Sequence, residues 1–145
     1  MKNLLIVLFF TVFVYGESTF SNPQPSFDEP RKVVFQIYDS ELDKVNHNLG
    51  TIYNILKEYP EESLKVAVVA YGNGMRALKK DYDKATLARI SSLMEYDVEF
   101  FACRNTMESM KWTEDDFIDD LEYVQAGIVE FVEKQVDGYI GVNAY

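Results

Sequence analysis

The chain has 145 residues, 48% of them hydrophobic, with 24 acidic side chains against 14 basic ones and a formal net charge of −10. That length fits a single domain with one core. An acidic chain without a concentrated basic face cannot compensate a phosphate backbone, which excludes nucleic acid as a partner.

In chain order, Met1-Lys2-Asn3 and the apolar run from Leu4 to Val14 predict a signal peptide over residues 1–16, with cleavage near Gly16. The run is about eleven residues long, short of the ~20 needed for a helix to cross a bilayer, so no stable membrane span is expected. The expected location is periplasmic. Residues 17–31 contain Pro23, Pro25 and Pro30 among Ser, Asn and Gln and read as an extended linker. The folded domain is then 32–145.

The segment 32–38 is β-branched and aromatic and predicts a first strand. A helix from Asp43 to about Tyr59 follows, with Val45, Leu49, Ile52, Ile55 and Leu56 on one face and Pro60 ending it. A second strand spans 64–70, apolar throughout its latter half as a strand covered on both faces should be. Gly72-Asn73-Gly74 turns the chain into a short helix through Leu78; a helix is expected over 85–96 and a third strand over 98–102. A short helix starts at Asn105, and Thr113 reads as an N-cap before Glu114, Asp115 and Asp116. A minimal strand at Tyr123-Val124, a helix over 127–136 and a last strand within 138–142 complete the pattern. Strands alternating with helices imply right-handed crossovers and a three-layer α/β/α fold around a mostly parallel five-stranded sheet.

Ligands and chemistry collect beyond the carboxyl ends of such strands. Three loops meet this condition: Asp39-Ser40, Gly72-Asn73-Gly74 and Cys103-Arg104-Asn105-Thr106. Gly-Asn-Gly brings backbone amides close to an anion, or serves only as a tight turn. Cys103 is the only cysteine, so an internal disulfide is impossible. At a helix start its thiolate is favoured by the dipole and nearby amides, with Arg104 adding positive charge; alternatively it is a small buried hydrophobe ending a core strand. His47 is the only histidine, on the first helix, and it has no second histidine or cysteine with which to build a transition-metal site. The acids at 114–116, 119 and 120 lack the spacing of a calcium loop and read as a solvated face. No cofactor or metal is called for.

The run from Lys65 to Leu78, Lys-Val-Ala-Val-Val-Ala-Tyr-Gly-Asn-Gly-Met-Arg-Ala-Leu, resembles the "VVAYGxGxxAL" block of DsrE/DsrF-like proteins. The run from Phe100 to Met107 looks like their "FxxCxNT" block, and Trp112 to Asp116 resembles the segment after it. Asn46 and Asn54 fall where the family's first helix carries asparagines; Val124 to Val129 resembles its "VPAGVVE" stretch, with Gln125 in place of the proline. The resemblance covers residues 32–142. It implies a five-stranded parallel sheet, homo-oligomers (trimer or hexamer), and a cysteine that in some members carries sulfur as a persulfide. Carried over, Cys103 is the sulfur-bearing residue, and Gly72, Asn73, Gly74, Arg104, Asn105, Thr106 and Asn46 shape its pocket. The function implied is a periplasmic sulfur carrier exchanging sulfane sulfur with a partner protein or a small sulfur compound. The alternative is a non-enzymatic, oligomeric small-anion-binding or interaction module in which Cys103 is structural.

Overall fold

The structure, a computed structural model, describes residues 18–144. The leader expected over 1–16 lies outside the described residues, as do Glu17 and Tyr145. Five strands form one sheet: β1 (Arg31–Ile37), β2 (Leu64–Ala70), β3 (Glu99–Cys103), β4 (Glu122–Val124) and β5 (Ile140–Val142). Their order is β4-β3-β2-β1-β5, and every neighbouring pair is parallel.

The helices are α1 (Leu42–Glu58), α2 (Lys84–Glu95), α3 (Arg104–Met110) and α4 (Gly127–Val136), with 3-10 turns at Gly72–Leu78 and Glu114–Asp116. α1 shows the predicted stripe, burying Val45, Leu49 and Ile52, and stops at Tyr59, whose extended backbone suits the residue before a proline. α2 begins one residue earlier than expected because Asp83 caps it, its carboxylate accepting the Thr86 amide at 2.8 Å. Such a cap contributes about 1 kcal/mol.

Strand order fixes the layering. The chain advances β1, β2, β3, β4 in one direction across the sheet, so right-handed crossovers put α1, α2 and α3 on one face. Returning from β4 to the far edge at β5 reverses that direction, and the same handedness then forces α4 onto the other face. Each face has its own core, following the two-residue alternation of the strands. Val33, Phe35, Ile37, Val66, Val68 and Phe100 pack beneath α1 and α2. Val34, Ala67, Val69, Phe101 and Tyr139 pack beneath Phe131 of α4.

Residues 18–30 depart from the linker expectation. They have no regular structure, yet they strap the amino edge of the domain. Phe20 lies against Tyr59 with ring centroids 4.7 Å apart, Ser18 is bonded to Glu58, and Pro25 is buried. The Arg31 guanidinium donates to the carbonyls of Ser21 (2.7 Å) and Pro23 (2.8 Å), satisfying two groups that an isolated linker would leave to water.

The turn after β2 is seated on the end of β1 through Gly74, which is buried. A Cβ there would overlap the Ile37 carbonyl and stand 2.8 Å from the Tyr38 nitrogen. Both obstacles are backbone and cannot rotate away. Gly74→Ala is therefore expected to lower the unfolding free energy by about 2–3 kcal/mol through overpacking, measured by urea denaturation; an unchanged midpoint contradicts this packing.

Candidate functional site

The crevice of an open parallel sheet lies where adjacent strands send their connections to opposite faces. Here that place is between β3, which leads into α3 on the first face, and β4, which leads into α4 on the second. Cys103 occupies it. The thiol residue is the last position of β3, pairs with Val124 of β4 and is the N-cap of α3, so strand and helix meet at the cysteine itself rather than before it.

Three segments converge on the sulfur. The Thr106 hydroxyl and the amides of Gly127, Thr106 and Asn105 surround Cys103 and favour its thiolate, although the cysteine makes no side-chain capping hydrogen bond to α3 and the Asn105 amide donates to the Gln125 carbonyl. Burial alone pushes the thiol up, but these donors outweigh it and leave Cys103 below the ordinary cysteine pKa. Two helix starts contribute, since Gly127 opens α4 as Asn105 and Thr106 open α3. In the thiol form, Sγ has a long contact of 3.8 Å to the Gln125 carbonyl, and the Cys103 amide donates to Sδ of the buried Met75 at 3.2 Å.

Gly127 is what allows α4 this close. A Cβ on it would lie 2.9 Å from Tyr71 Cβ and 3.2 Å from both the Ala70 carbonyl and Cys103 Cβ. Thr106 is held from the other side. Its Oγ1 accepts the Gly72 amide at 3.0 Å, so the hydroxyl proton is left to face the sulfur. Gly72 itself takes a positive φ of 54°.

Not every expected residue joins the cluster. Gly72, Asn105 and Thr106 do, whereas Gly74 seats the turn on the end of β1. Asn73 sits exposed on the turn. Arg104 is turned away, in a 2.7 Å ion pair with Glu114 and 5.1 Å from the Tyr123 ring centroid, and is not among the groups that shift Cys103. The expected electrostatic help from Arg104 is therefore corrected: amides and a hydroxyl supply it. Asn46 is corrected as well. It ties α1 to α2, donating to Thr86 Oγ1 at 2.9 Å and accepting from Arg89, and its side-chain bonds reach no residue of the Cys103 cluster. His47 is exposed on the outer side of α1.

Gln125 is the residue that sequence reasoning passed over. Its carbonyl accepts the Asn105 amide at 3.0 Å, and its side chain donates to Asn105 Oδ1 at 2.6 Å and to Glu108 at 3.3 Å. The β4–α4 loop is thereby clamped onto α3, which a proline side chain could not do. The signal was present in the departure from proline, but its partners lie 17 and 20 residues away.

If the Gly72–Thr106–Cys103 relay sets the thiolate, Thr106→Val moves the pH profile of Cys103 alkylation to higher pH and slows the reaction near neutrality by roughly tenfold, the value of one charge-assisted hydrogen bond. Thr106→Ser restores it. Iodoacetamide rates across pH measure this, and identical profiles for all three proteins contradict the relay.

The comparisons with known proteins bear on the fold and the family. No curated protein matches the chain. Among solved structures, the chain is similar to a protein of unknown function, MTH1491 from Methanobacterium thermoautotrophicum, with 26% identity and a TM-score of 0.72 over 78% of this chain and 98% of that one. The ychN protein from E. coli shares the fold at 12% identity, with a TM-score of 0.66 and the same coverage of both chains. The DsrE/DsrF-like family model matches residues 31–143, all five strands and the Cys103 crevice included, and the chain belongs to the DsrE/DsrF-like family.

Proposed function

We propose that this protein binds and carries sulfane sulfur on Cys103. One observation supports it above the others: the sulfur sits where a hydroxyl and three amides from two helix starts favour its thiolate. That anion is the nucleophile of sulfur exchange. The thiolate attacks the terminal sulfur of a polysulfide, a new S–S bond forms on Cys103, the donor's S–S bond breaks, and its electron pair leaves on the shortened polysulfide. In delivery, an acceptor thiolate attacks the outer sulfur of the Cys103 persulfide and the Cys103 thiolate departs. No net electrons are gained or lost, and the same donors stabilise Cys103 as leaving group. With a leader over 1–16, this exchange takes place in the periplasm with a partner there.

A second reading, a small-anion-binding or interaction module with a structural cysteine, draws support from the burial of Cys103, which is only 4% exposed. Intact mass after incubation with polysulfide separates the two. Carriage gives a reducible gain of about 32 Da per sulfur on the native protein, absent from Cys103→Ser. No adduct, with labelling only in denaturant, favours the structural role.

We further propose that the carrier is a homo-oligomer, trimer or hexamer, joined through α4. Its outer side presents Ile128, Val129, Val132 and Val136, and with Ile140 of β5 these residues are 49% to 76% exposed. Burying such a stripe favours association by about 25 cal/mol per Å². Val129→Glu with Val132→Glu is expected to reduce the mass measured by light scattering to that of one chain; an unaltered mass places the interface elsewhere.

A further inference from the structure

At the amino edge of the sheet, far from the Cys103 rim, the last turns of α1 and α2 border a groove of about 650 Å³. Tyr53, Leu56 and Tyr59 of the α1 side and Leu64 of β2 form its apolar floor. Tyr96, 66% exposed, stands at its lip. Four carboxylates surround this floor: Glu61 and Glu62 before β2, and Glu95 and Asp97 before β3. Lys57 is the one basic lining residue, and all four carboxylates are exposed. Among the described residues, none of the four is in an ion pair.

Three independent features give this groove one sign. The carboxylates are unneutralised. The C-terminal ends of two helices, of 17 and 12 residues, point their partial negative charge toward it. The exposed Tyr96 offers the negative part of its ring quadrupole, which attracts guanidinium and ammonium groups, while Tyr53 already has the Arg89 guanidinium 5.7 Å from its ring centroid and Tyr59 packs on Phe20. A tyrosine floor beneath an acidic rim is complementary to a chain that alternates cationic and apolar side chains. The groove is larger than a single small cation requires and holds several side chains.

We propose that this groove is a docking site for a basic segment of a partner polypeptide, with arginine or lysine at the carboxylate rim and apolar side chains on the tyrosines. It is independent of the thiol chemistry, and it lies at the edge opposite Cys103, so a protein held there leaves the sulfur crevice open.

The probe is an acetylated hexapeptide alternating arginine and leucine, titrated into the 15N-labelled protein. The expected result is a set of amide shifts concentrated at residues 53–62 and 95–98, with affinity falling as salt rises. A Glu61→Gln, Glu95→Gln, Asp97→Asn triple variant should bind about tenfold more weakly, the combined worth of three rim charges. Asparagine keeps the positive φ of 59° at position 97 without strain, so the variant retains the fold. An Asp119→Asn, Asp120→Asn variant removes charge elsewhere and should bind as the parent does. Shifts spread over the whole acidic surface, or equal weakening by both variants, overturn the site in favour of diffuse attraction. Full displacement of the peptide by an equal concentration of tetramethylammonium overturns the polypeptide partner in favour of a small organic cation.

Discussion

The amide of Gly127 can point at Cys103 only because no side chain stands between them. A Cβ on residue 127 would lie 3.2 Å from Cys103 Cβ, so the bare backbone there is what joins the two halves of the site. α4 must cross the second face of the sheet to reach β5, and its path starts directly above the end of β3. The crossover brings the α4 start to the crevice, and the absence of a side chain at residue 127 lets it approach the sulfur. With α4 displaced outward, Cys103 would lose the Gly127 amide and Gln125 would lose its hold on α3.

Burial and polarity oppose each other at this cysteine. A thiol 4% exposed at the end of a core strand would ordinarily stay protonated. The opposing donors are backbone amides and a hydroxyl, all fixed by helix starts, so stabilisation comes without a nearby formal charge. Arg104 is then released to pair with Glu114 and cover Tyr123 at the surface. A dipolar environment of this kind favours the anion without attracting bulk counter-ions into the crevice.

Much of the fold was legible because its signals are local. β2 falls where its continuous apolar run put it, α4 spans the residues expected of it, and the apolar stripe of α1 is the stripe that is buried. The site was legible in part. Cys103, Thr106 and Gly72 could be placed at strand ends from sequence, and the structure unites them. Arg104 and Asn46 were misjudged because adjacency along the chain does not say where a long side chain points, or which helix a polar one bridges. Gln125 and Gly127 were missed for a different reason: their importance arises from the reversal of strand order, which no local pattern encodes. The strap at 18–30 was misread because proline-rich composition carries no record of the Arg31 guanidinium that gathers its carbonyls.

That strap has a geometric consequence. Ser18 is fastened beside Glu58 at the C-terminal end of α1, and Phe20 is packed on Tyr59. The strap therefore joins the domain at the base of the sheet, while Cys103 ends β3 at its top. The strap and the sulfur thus sit at opposite ends of the strands, separated by the length of β1 and β2.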